Sequence, residues 1–313
     1  MFINTLKKKA ATKKKTILFP EYDDPRILKA AHTLSKESLL TPVLVFPKEP
    51  KKKFPHPILV IDNHPSLSLY ANELVKIRKK KGLTLQQAKE WLKDPIVFGI
   101  MALSQGEADG LLSGAKHPTA DTLRPALQIL KTEKGTKTAS SFFFMIKEKE
   151  VLLFADCALN VDPNPEELAE IALTTARSAK NFGISPKVAF LSFSTYQSAK
   201  HPSVDKVREA VKIAQKKGKT ILIDGELQFD AAYLPSIAKM KAPKSPVKGK
   251  ANIFIFPTLD AGNIGYKIAQ RLGNYQAIGP IVQGLTKPVN DLSRGCSVED
   301  IIDVAVITAL LAK

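Results

Sequence analysis

The most chemically suggestive stretch of the sequence brings a hydroxyl, a guanidinium and a carboxylate close together. Ser293 and Arg294 are adjacent, Gly295 follows them, and Asp300 comes one short segment later. A guanidinium binds phosphate or a developing oxyanion through two parallel hydrogen bonds, and a hydroxyl donates to the same oxygen. A carboxylate takes a proton from an incoming nucleophile. The spacing therefore indicates an anion-handling site, although it also fits a solvated turn before a helix that Ser297 caps.

Arginine is scarce in this chain although positive charge is abundant. The sequence has 47 Lys and Arg residues against 30 Asp and Glu residues, a net charge of +17, and only seven of the basic residues are Arg. Such a charge favours anionic partners, but it does not distinguish nucleic acid, a membrane surface and phosphorylated small molecules. Because Lys supplies the charge by default, an Arg position indicates a need for guanidinium geometry. Arg78, Arg124 and Arg294 are therefore candidates for binding an anion.

Composition limits the class of protein. A chain of 313 residues, 44% of them hydrophobic, fills one large α/β unit or two moderate domains. The two cysteines, Cys157 and Cys296, give no metal-ligand spacing and no disulfide framework, and the five histidines show no paired zinc spacing. The longest apolar run, Val304 to Ala312, is far shorter than the ~20 residues that span a bilayer. We therefore expect a soluble cytoplasmic protein without a metal site.

Strands alternate with helices along most of the sequence. This pattern predicts an α/β fold in which mainly parallel strands are covered by helices on both faces. The predicted helices of the second half include Pro165–Lys180, Val204–Lys217 and Phe229–Lys239, and a β-hairpin is predicted over Phe142–Phe154. Ligands of parallel sheets bind beyond the carboxyl ends of the strands. Four loops that follow strands are expected to converge on one crevice: Ser113–Thr119, Ser192–Ser198, Asp260–Gly265 and Gly284–Arg294.

Two long runs resemble the signatures of one known family. The run from Lys287 to Val304 resembles the C-terminal signature of the phosphate acetyl/butyryltransferase family, and the run from Ala108 to Leu127 resembles that family's other signature. The similarity extends over nearly the whole chain, and it is closer to the acetyltransferase branch. The resemblance implies two α/β/α domains, an active-site cleft between them, and a homodimer. The first domain would comprise residues 1–138 and 285–313, and the second residues 139–284.

The resemblance also implies a reaction. Acetyl-CoA and phosphate would exchange an acetyl group to give CoA and acetyl phosphate, by direct thiolate attack in a ternary complex, as a step of acetate metabolism. Asp300 matches the family's general base, and Ser293 and Arg294 match the residues that stabilise the tetrahedral intermediate or hold phosphate. CoA is a substrate in this scheme, and no tightly bound cofactor is implied. Further residues at positions that imply contact with phosphate or CoA are Arg78, Arg124, Ser113, Thr119, Ser192, Ser194, Asn263, Gly265 and Cys296.

Several alternatives stay open at this point. A phosphate butyryltransferase or another acyl homologue fits the same motifs. A covalent acyl-cysteine mechanism at Cys296 is a minor alternative, because a neighbouring cation would lower the pKa of its thiol. The Gly262–Gly265 run follows a strand and opens a helix, but it lacks the three-glycine spacing of a dinucleotide fingerprint. From other classes, the +17 charge permits a nucleic-acid-binding protein, and a catalytically idle homologue would be a scaffold.

Overall fold

A computed structural model describes residues 2–51 and 53–313 of the chain. The β-strands of these residues are β1 Thr16–Phe19, β2 Thr41–Phe46, β3 Ile58–Val60, β4 Gly110–Ser113, β5 Ser140–Lys147, β6 Glu150–Ala155, β7 Lys187–Leu191, β8 Leu222–Leu227, β9 Ile253–Ile255, β10 Gln276–Gln283 and β11 Val289–Asp291. The α-helices are α1 Phe2–Lys13, α2 Pro25–Lys36, α3 Leu67–Ile77, α4 Leu85–Trp91, α5 Pro95–Ser104, α6 Thr119–Ile129, α7 Pro165–Asn181, α8 Pro202–Lys217, α9 Phe229–Tyr233, α10 Pro235–Lys241, α11 Leu259–Arg271 and α12 Val298–Leu311. A short 3₁₀ helix, Lys79–Lys81, follows α3.

The chain divides into two compact units. One contains the residues up to Glu133 together with Leu285–Lys313, and the other is Lys134–Gly284. The first unit has a fully parallel sheet in the order β11-β4-β1-β2-β3. In the second unit the order is β10-β5-β6-β9-β7-β8, in which β10, β5 and β6 pair antiparallel and the remaining pairs are parallel. The prediction of an α/β fold with mainly parallel sheets is confirmed.

Helices cover both faces of the sheet in the first unit. Successive residues of a strand point to opposite faces, so Gly110 and Leu111 of β4 identify what packs on each side. A Cβ at Gly110 would lie 2.8 Å from the Thr308 side chain of α12, whereas Leu111 comes within 2.8 Å of the position a Cβ would take at Gly99 of α5. Each helix approaches this strand where a glycine supplies the room. The prediction of helices on both faces holds for this sheet.

In the second unit, successive aromatic side chains of β5 also point to opposite faces of the sheet. Phe143 of β5 stacks on Tyr266 of α11, with ring centroids 4.1 Å apart. The next residue, Phe144, meets Phe182 at the end of α7 edge to face, with centroids 5.1 Å apart. The hairpin of β5 and β6, which the sequence predicts, therefore lies between α11 on one face and α7 on the other.

Two segments differ from the sequence prediction. The single helix expected over Phe229–Lys239 is divided into α9 and α10, because Leu234 precedes a proline and takes an extended conformation with φ −105° and ψ 117°. The Lys-rich N-terminal segment carries no helix prediction, yet it forms α1. Leu6 and Ala10 of α1 are buried at helical spacing, and Lys7 pairs with Glu299 at 2.6 Å. Lys7 therefore joins α1 to the first turns of α12, where it also lies 3.3 Å from Asp303.

No helix in the described part of the chain is long and apolar enough to cross a membrane.

Candidate active site

The Ser293–Arg294 turn is exposed and follows β11. The amide of Cys296 donates to the carbonyl of Ser293 at 2.9 Å, and the amide of Gly295 donates to the Ser293 hydroxyl at 3.3 Å. These bonds close the turn and leave the Arg294 side chain outside it. The guanidinium of Arg294 has no hydrogen-bond or ion-pair partner among residues 2–51 and 53–313. Two adjacent donors are thus available to an anion from solution.

Asp300 lies in the first turn of α12 and takes part in its cap. The Ser297 hydroxyl accepts from the Asp300 amide at 3.1 Å, while Asp300 Oδ2 accepts from the Ser297 amide and from its hydroxyl, both at 2.8 Å. The prediction that Ser297 caps a helix is confirmed. Because the cap uses only Oδ2, the half-buried carboxylate keeps Oδ1 unpartnered within the described residues. That oxygen can accept a proton without dismantling the helix start.

Arg26 is not among the arginines predicted to bind an anion, but its hydrogen bonds hold the Ser293–Arg294 turn in place. Its guanidinium donates from Nη1 to the carbonyls of Arg294 at 2.8 Å and Cys296 at 3.0 Å, and from Nη2 to the carbonyl of Ala115 at 2.7 Å. Asp24 accepts from Nε at 3.1 Å and from Nη2 at 2.7 Å. The hydrogen bond from Arg26 lowers the pKa of the buried Asp24 carboxyl. One arginine therefore joins the turn to the loop that follows β4.

Glu21 holds that same loop from the end of β1. Its Oε2 accepts from the Ala115 amide at 2.8 Å, and its Oε1 accepts from the amides of Lys116 at 2.8 Å and His117 at 3.1 Å. The Nδ1 atom of His117 also lies 2.8 Å from Oε1. A buried carboxylate that accepts several amide hydrogens fixes the path of a loop, so Glu21 sets the course of the segment 115–117.

A second buried carboxyl group, Asp291, closes β11. Its Oδ2 accepts from the hydroxyl of Thr119, the first residue of α6, at 2.6 Å. The strand register places Ser113 of β4 opposite Asp291, and the Thr122 hydroxyl faces the same carboxyl. Burial raises the pKa of Asp291 to about 7, although the hydroxyls of Thr119 and Thr122 oppose that shift. This carboxyl group therefore titrates near neutral pH.

Three buried oxygen atoms around Asp291 lack partners. Ser113 Oγ, Thr122 Oγ1 and Asp291 Oδ1 make no hydrogen bond with any described residue. Ser113 is 0% exposed, so its predicted contact with phosphate or CoA would need access that this conformation does not provide. Thr119 already donates to Asp291, and it begins α6 while Pro118 occupies the N-cap position. Ser113 is thus enclosed, whereas Thr119 is exposed at the start of α6.

Cys296 behaves differently from the sequence expectation. The sequence predicts that a neighbouring cation lowers the pKa of its thiol, but burial raises that pKa to about 11, and Arg26 only partly offsets the shift. Burial likewise raises the pKa of the Cys157 thiol. A thiol with so high a pKa carries almost no thiolate at neutral pH, which disfavours the acyl-cysteine alternative.

The other two predicted arginines lie at helix positions with solvent access. Arg124 is exposed in α6 and directly precedes the buried Pro125, and Arg78 is half-buried at the end of α3. Neither guanidinium has a hydrogen-bond or ion-pair partner in the described ranges. Their charges are thus uncommitted within the protein, as a role in binding an anion requires.

The predicted serines of the second unit lie in the loop after β7. Ser194 is buried, and its hydroxyl donates to Glu226 Oε1 at 2.9 Å. The amide of Ser194 donates to the Ser192 hydroxyl at 3.2 Å, and the amide of Gln197 donates to Glu226 at 2.6 Å. Glu226 thus orders this loop much as Glu21 orders the loop after β4.

The sequence predicts a helix over Gly262–Leu272, and Asn263 and Gly265 lie in that helix, α11, whereas the expectation of a loop over Asp260–Gly265 is wrong. Both belong to α11, where the Asn263 amide group donates to the Cys157 carbonyl at 3.2 Å. A Cβ at Gly265 would lie 3.0 Å from the Phe256 ring, and one at Gly262 would lie 2.3 Å from the Asp156 carbonyl oxygen. These glycines permit close packing of the helix and do not form a phosphate-binding turn.

The fold and the exposed Ser-Arg turn define an α/β protein equipped to bind an anion beside a carboxylate. Comparisons with known proteins identify the family. Residues 1–309 match the model of the phosphate acetyl/butaryl transferase family. The chain belongs to this family of transferases.

Similar proteins cover nearly the whole chain. It is 49% identical to the phosphate acetyltransferase of Bacillus subtilis over 317 residues, which are 99% of this chain and 98% of the relative. It is 50% identical to the phosphate acetyltransferase of Thermoanaerobacterium thermosaccharolyticum over 325 residues, 99% of each. A solved phosphotransacetylase from Streptococcus pyogenes superposes with a TM-score of 0.93 at 48% identity, covering 99% of this chain and 97% of the other. These matches do not favour the nucleic-acid-binding, scaffold or butyryl alternatives.

Proposed function

We propose that the protein is a phosphate acetyltransferase, which transfers an acetyl group reversibly between coenzyme A and inorganic phosphate. The observation that carries the proposal is its 48–50% identity, over 99% of the chain, to relatives bearing that name. The exposed turn supports it, because Ser293 and Arg294 supply two donors to a phosphate or an oxyanion. The reaction would belong to acetate metabolism.

Asp300 would act as general base for the thiol. A free thiol with a pKa near 8.5 is only a few per cent ionised at neutral pH, so a base is needed. In the direction that forms acetyl-CoA, Asp300 takes the thiol proton and the sulfur bonds to the carbonyl carbon of acetyl phosphate. The bond from that carbon to the phosphate oxygen then breaks, and phosphate leaves. No residue becomes acylated in this sequence.

Ser293 and Arg294 would stabilise the charge that develops on the carbonyl oxygen. A preorganised donor of this kind contributes about 3 kcal/mol to lowering the barrier. Arg78 and Arg124 would bind phosphate groups of CoA or the free phosphate, since neither guanidinium is committed to another described group. The other residues of the predicted set stay predicted contacts: Ser113, Thr119, Ser192, Ser194, Asn263, Gly265 and Cys296.

A homodimer in the cytoplasm is the assembly we expect. Support comes from α11 and its C-cap residue Leu272, since Ile264, Ile268 and Leu272 are 57%, 52% and 81% exposed. Their spacing of four residues puts them on one face of the helix, and such a stripe is typical of a contact surface. Light scattering should give twice the chain mass, and Ile268→Glu should give the mass of one chain. A wild-type mass of 34.3 kDa would contradict the proposal.

The experiment that tests the activity uses purified protein with acetyl phosphate and CoA. We expect rapid formation of the acetyl thioester and release of one phosphate per thioester. Butyryl phosphate, supplied at the same concentration, should react more slowly. Faster reaction with butyryl phosphate would indicate a phosphate butyryltransferase instead. No reaction with either donor would refute the proposed function.

A further inference from the structure

Asp291 lies two residues before Ser293, at the point where β11 becomes the motif turn. Its side chain is 1% exposed, and it accepts a hydrogen bond from Thr119 at 2.6 Å. The amide of Leu292 donates to the carbonyl of Ser113 at 2.8 Å, which carries the pairing of β11 and β4 to the edge of the turn. Asp291 thus connects the start of α6 to the strand that delivers Ser293 and Arg294.

We propose that Asp291 is a positioning residue whose hydrogen bond with Thr119 holds the Ser293–Arg294 turn in its reactive placement. The inference rests on the proposed function for its catalytic consequence. Asp291 touches no reacting atom in this account. It acts through the backbone of Leu292 and the turn that follows.

The hydrogen bond has the geometry of a charge-assisted contact. Bonds from a hydroxyl to a carboxylate are 2.5–2.7 Å long, shorter than neutral ones and roughly twice as strong. The observed 2.6 Å falls in that range. Ionisation of Asp291 should therefore tighten the contact with Thr119, and protonation should loosen it.

The groups around Asp291 determine the pH at which its carboxyl group ionises. The segment after β1 contributes the charge of Glu21, whose repulsion adds to the effect of burial on the pKa of Asp291, about 7. Glu21 is itself in contact with His117. From α6 come the hydroxyls of Thr119 and Thr122, and from β4 that of Ser113. On the α12 side, the neighbouring Asn290 donates to the Thr308 hydroxyl at 2.8 Å.

The test compares the pH dependence of kcat in four proteins. Wild type should gain activity as the pH rises through about 7. Thr119→Val removes the hydrogen bond, so its kcat should fall about 10- to 100-fold, as for the loss of one hydrogen bond to a charged group. Its rise should also move to higher pH. Thr119→Ser should restore the wild-type profile, whereas Asp291→Asn should have a low kcat and no rise near pH 7.

A matched control lies at the other end of β4. Asp109 precedes that strand and accepts from Lys15 at 2.8 Å and from the Thr16 amide at 2.9 Å. Asp109→Asn should keep the wild-type kcat and pH profile. A profile in Thr119→Val or Asp291→Asn that keeps the wild-type shape, or that changes equally in Asp109→Asn, would overturn the inference.

A measurement without turnover separates this inference from the proposed function. Protein labelled with ¹⁵N-arginine has only seven labelled backbone amides, and the Arg294 signal is assigned by its loss in Arg294→Lys. The Arg294 signal should titrate with a midpoint near pH 7 in wild type and should not do so in Asp291→Asn. If the wild type forms no thioester but this titration is seen, the proposed function fails while the coupling of Asp291 to the turn stands. Equal titration in both proteins would refute the coupling itself.

Discussion

Replacing Arg26 by lysine should loosen the Ser293–Arg294 turn while keeping the charge beside Asp24. The guanidinium makes six hydrogen bonds: two to Asp24, one each to the carbonyls of Arg294, Cys296 and Ala115, and a long one of 3.8 Å to Cys296 Sγ. A lysine ammonium is a compact point charge, and it cannot reproduce the planar fork that spans these acceptors. We expect it to keep Asp24 and to lose the three carbonyls.

The magnitude follows from the environment of those carbonyls. Ala115 is buried, so its unpartnered carbonyl costs about 1–3 kcal/mol, while Arg294 is exposed and water can replace its lost bond. Cys296 is also buried, so with the loss at its carbonyl we expect about 3 kcal/mol in total. In a domain of this size, 1 kcal/mol lowers Tm by about 2–4 °C, so the first unit should melt about 6–12 °C lower. Arg26→Ala should be worse, because it leaves the buried Asp24 carboxylate without its partner.

The assay measures Tm by calorimetry and kcat from thioester formation. Arg26→Lys should lower kcat at least tenfold at a temperature where it is folded, because small displacements of catalytic groups cost large factors in rate. Arg177→Lys is the matched control, since Arg177 donates only to the hydroxyls of Thr136 at 3.3 Å and Thr174 at 3.0 Å. If both variants show the same Tm and the same kcat, the account of Arg26 is mistaken.

Three further outcomes are expected. Arg294→Lys should lower kcat at least about 10²-fold with an unchanged Tm, since the guanidinium makes no described contact within the protein and is proposed to stabilise the developing charge. A kcat near that of wild type would contradict the proposed role of the guanidinium. Gly114→Ala should unfold the first unit, because φ is +102° and the new Cβ would lie 2.2 Å from Asp291 Oδ1. Gly135 has φ +84° but open space around it, so Gly135→Ala should lower the free energy of unfolding by only about 1 kcal/mol. Equal stability of the two variants would contradict this prediction. The difference in unfolding free energy, Asp291→Asn minus wild type, should increase by about 3 kcal/mol between pH 5 and pH 8, at 1.36 kcal/mol per pKa unit. Urea titrations at the two pH values measure this difference. A difference that does not change with pH would exclude titration of Asp291 near neutral pH.

The sign of that last effect follows from the raised pKa. The folded protein keeps the proton on Asp291 up to about pH 7, whereas the unfolded chain releases it near the model value of 3.8. Stability from this proton is therefore fully present below 3.8 and is lost as the pH rises to about 7. Above pH 7 the ionised Asp291 destabilises the fold. Asp291 would thus lower stability in the pH range in which activity is highest, and such a trade-off between stability and activity is common at functional sites.

The sequence allowed prediction of those site residues whose chemistry depends on neighbours in the chain. Ser293 and Arg294 are adjacent, and the capping pattern of Ser297 with Asp300 is local, so both are visible in the linear order. The same is true of the β-hairpin, whose two strands are separated only by its tip. Helix capping and strand alternation are short-range properties, and they survive in the folded protein.

Arg26, Glu21 and Asp291 could not be assigned in this way, because their partners are distant in sequence. Arg26 contacts residues 89 to 270 positions away, and Thr119 is 172 positions from Asp291. The scarcity of arginine is a signal that applies to Arg26 as much as to Arg78, Arg124 and Arg294. The role of Gly262 and Gly265 in α11 could not be predicted for a different reason. A glycine that permits close packing and a glycine that permits a turn are identical in sequence.

The most direct test of the catalytic centre is thioester formation by wild type, Asp300→Asn and Glu299→Gln under identical conditions. Asparagine can still accept a hydrogen bond from the Ser297 amide through its side-chain carbonyl, so Asp300→Asn removes the base while the cap of α12 is kept. Glu299 is the adjacent, exposed carboxylate, and its removal controls for the loss of one negative charge. We predict full activity in Glu299→Gln and a loss of about 10²–10⁴ in kcat for a folded Asp300→Asn. Equal activity in all three proteins would contradict the assignment of Asp300 as the base.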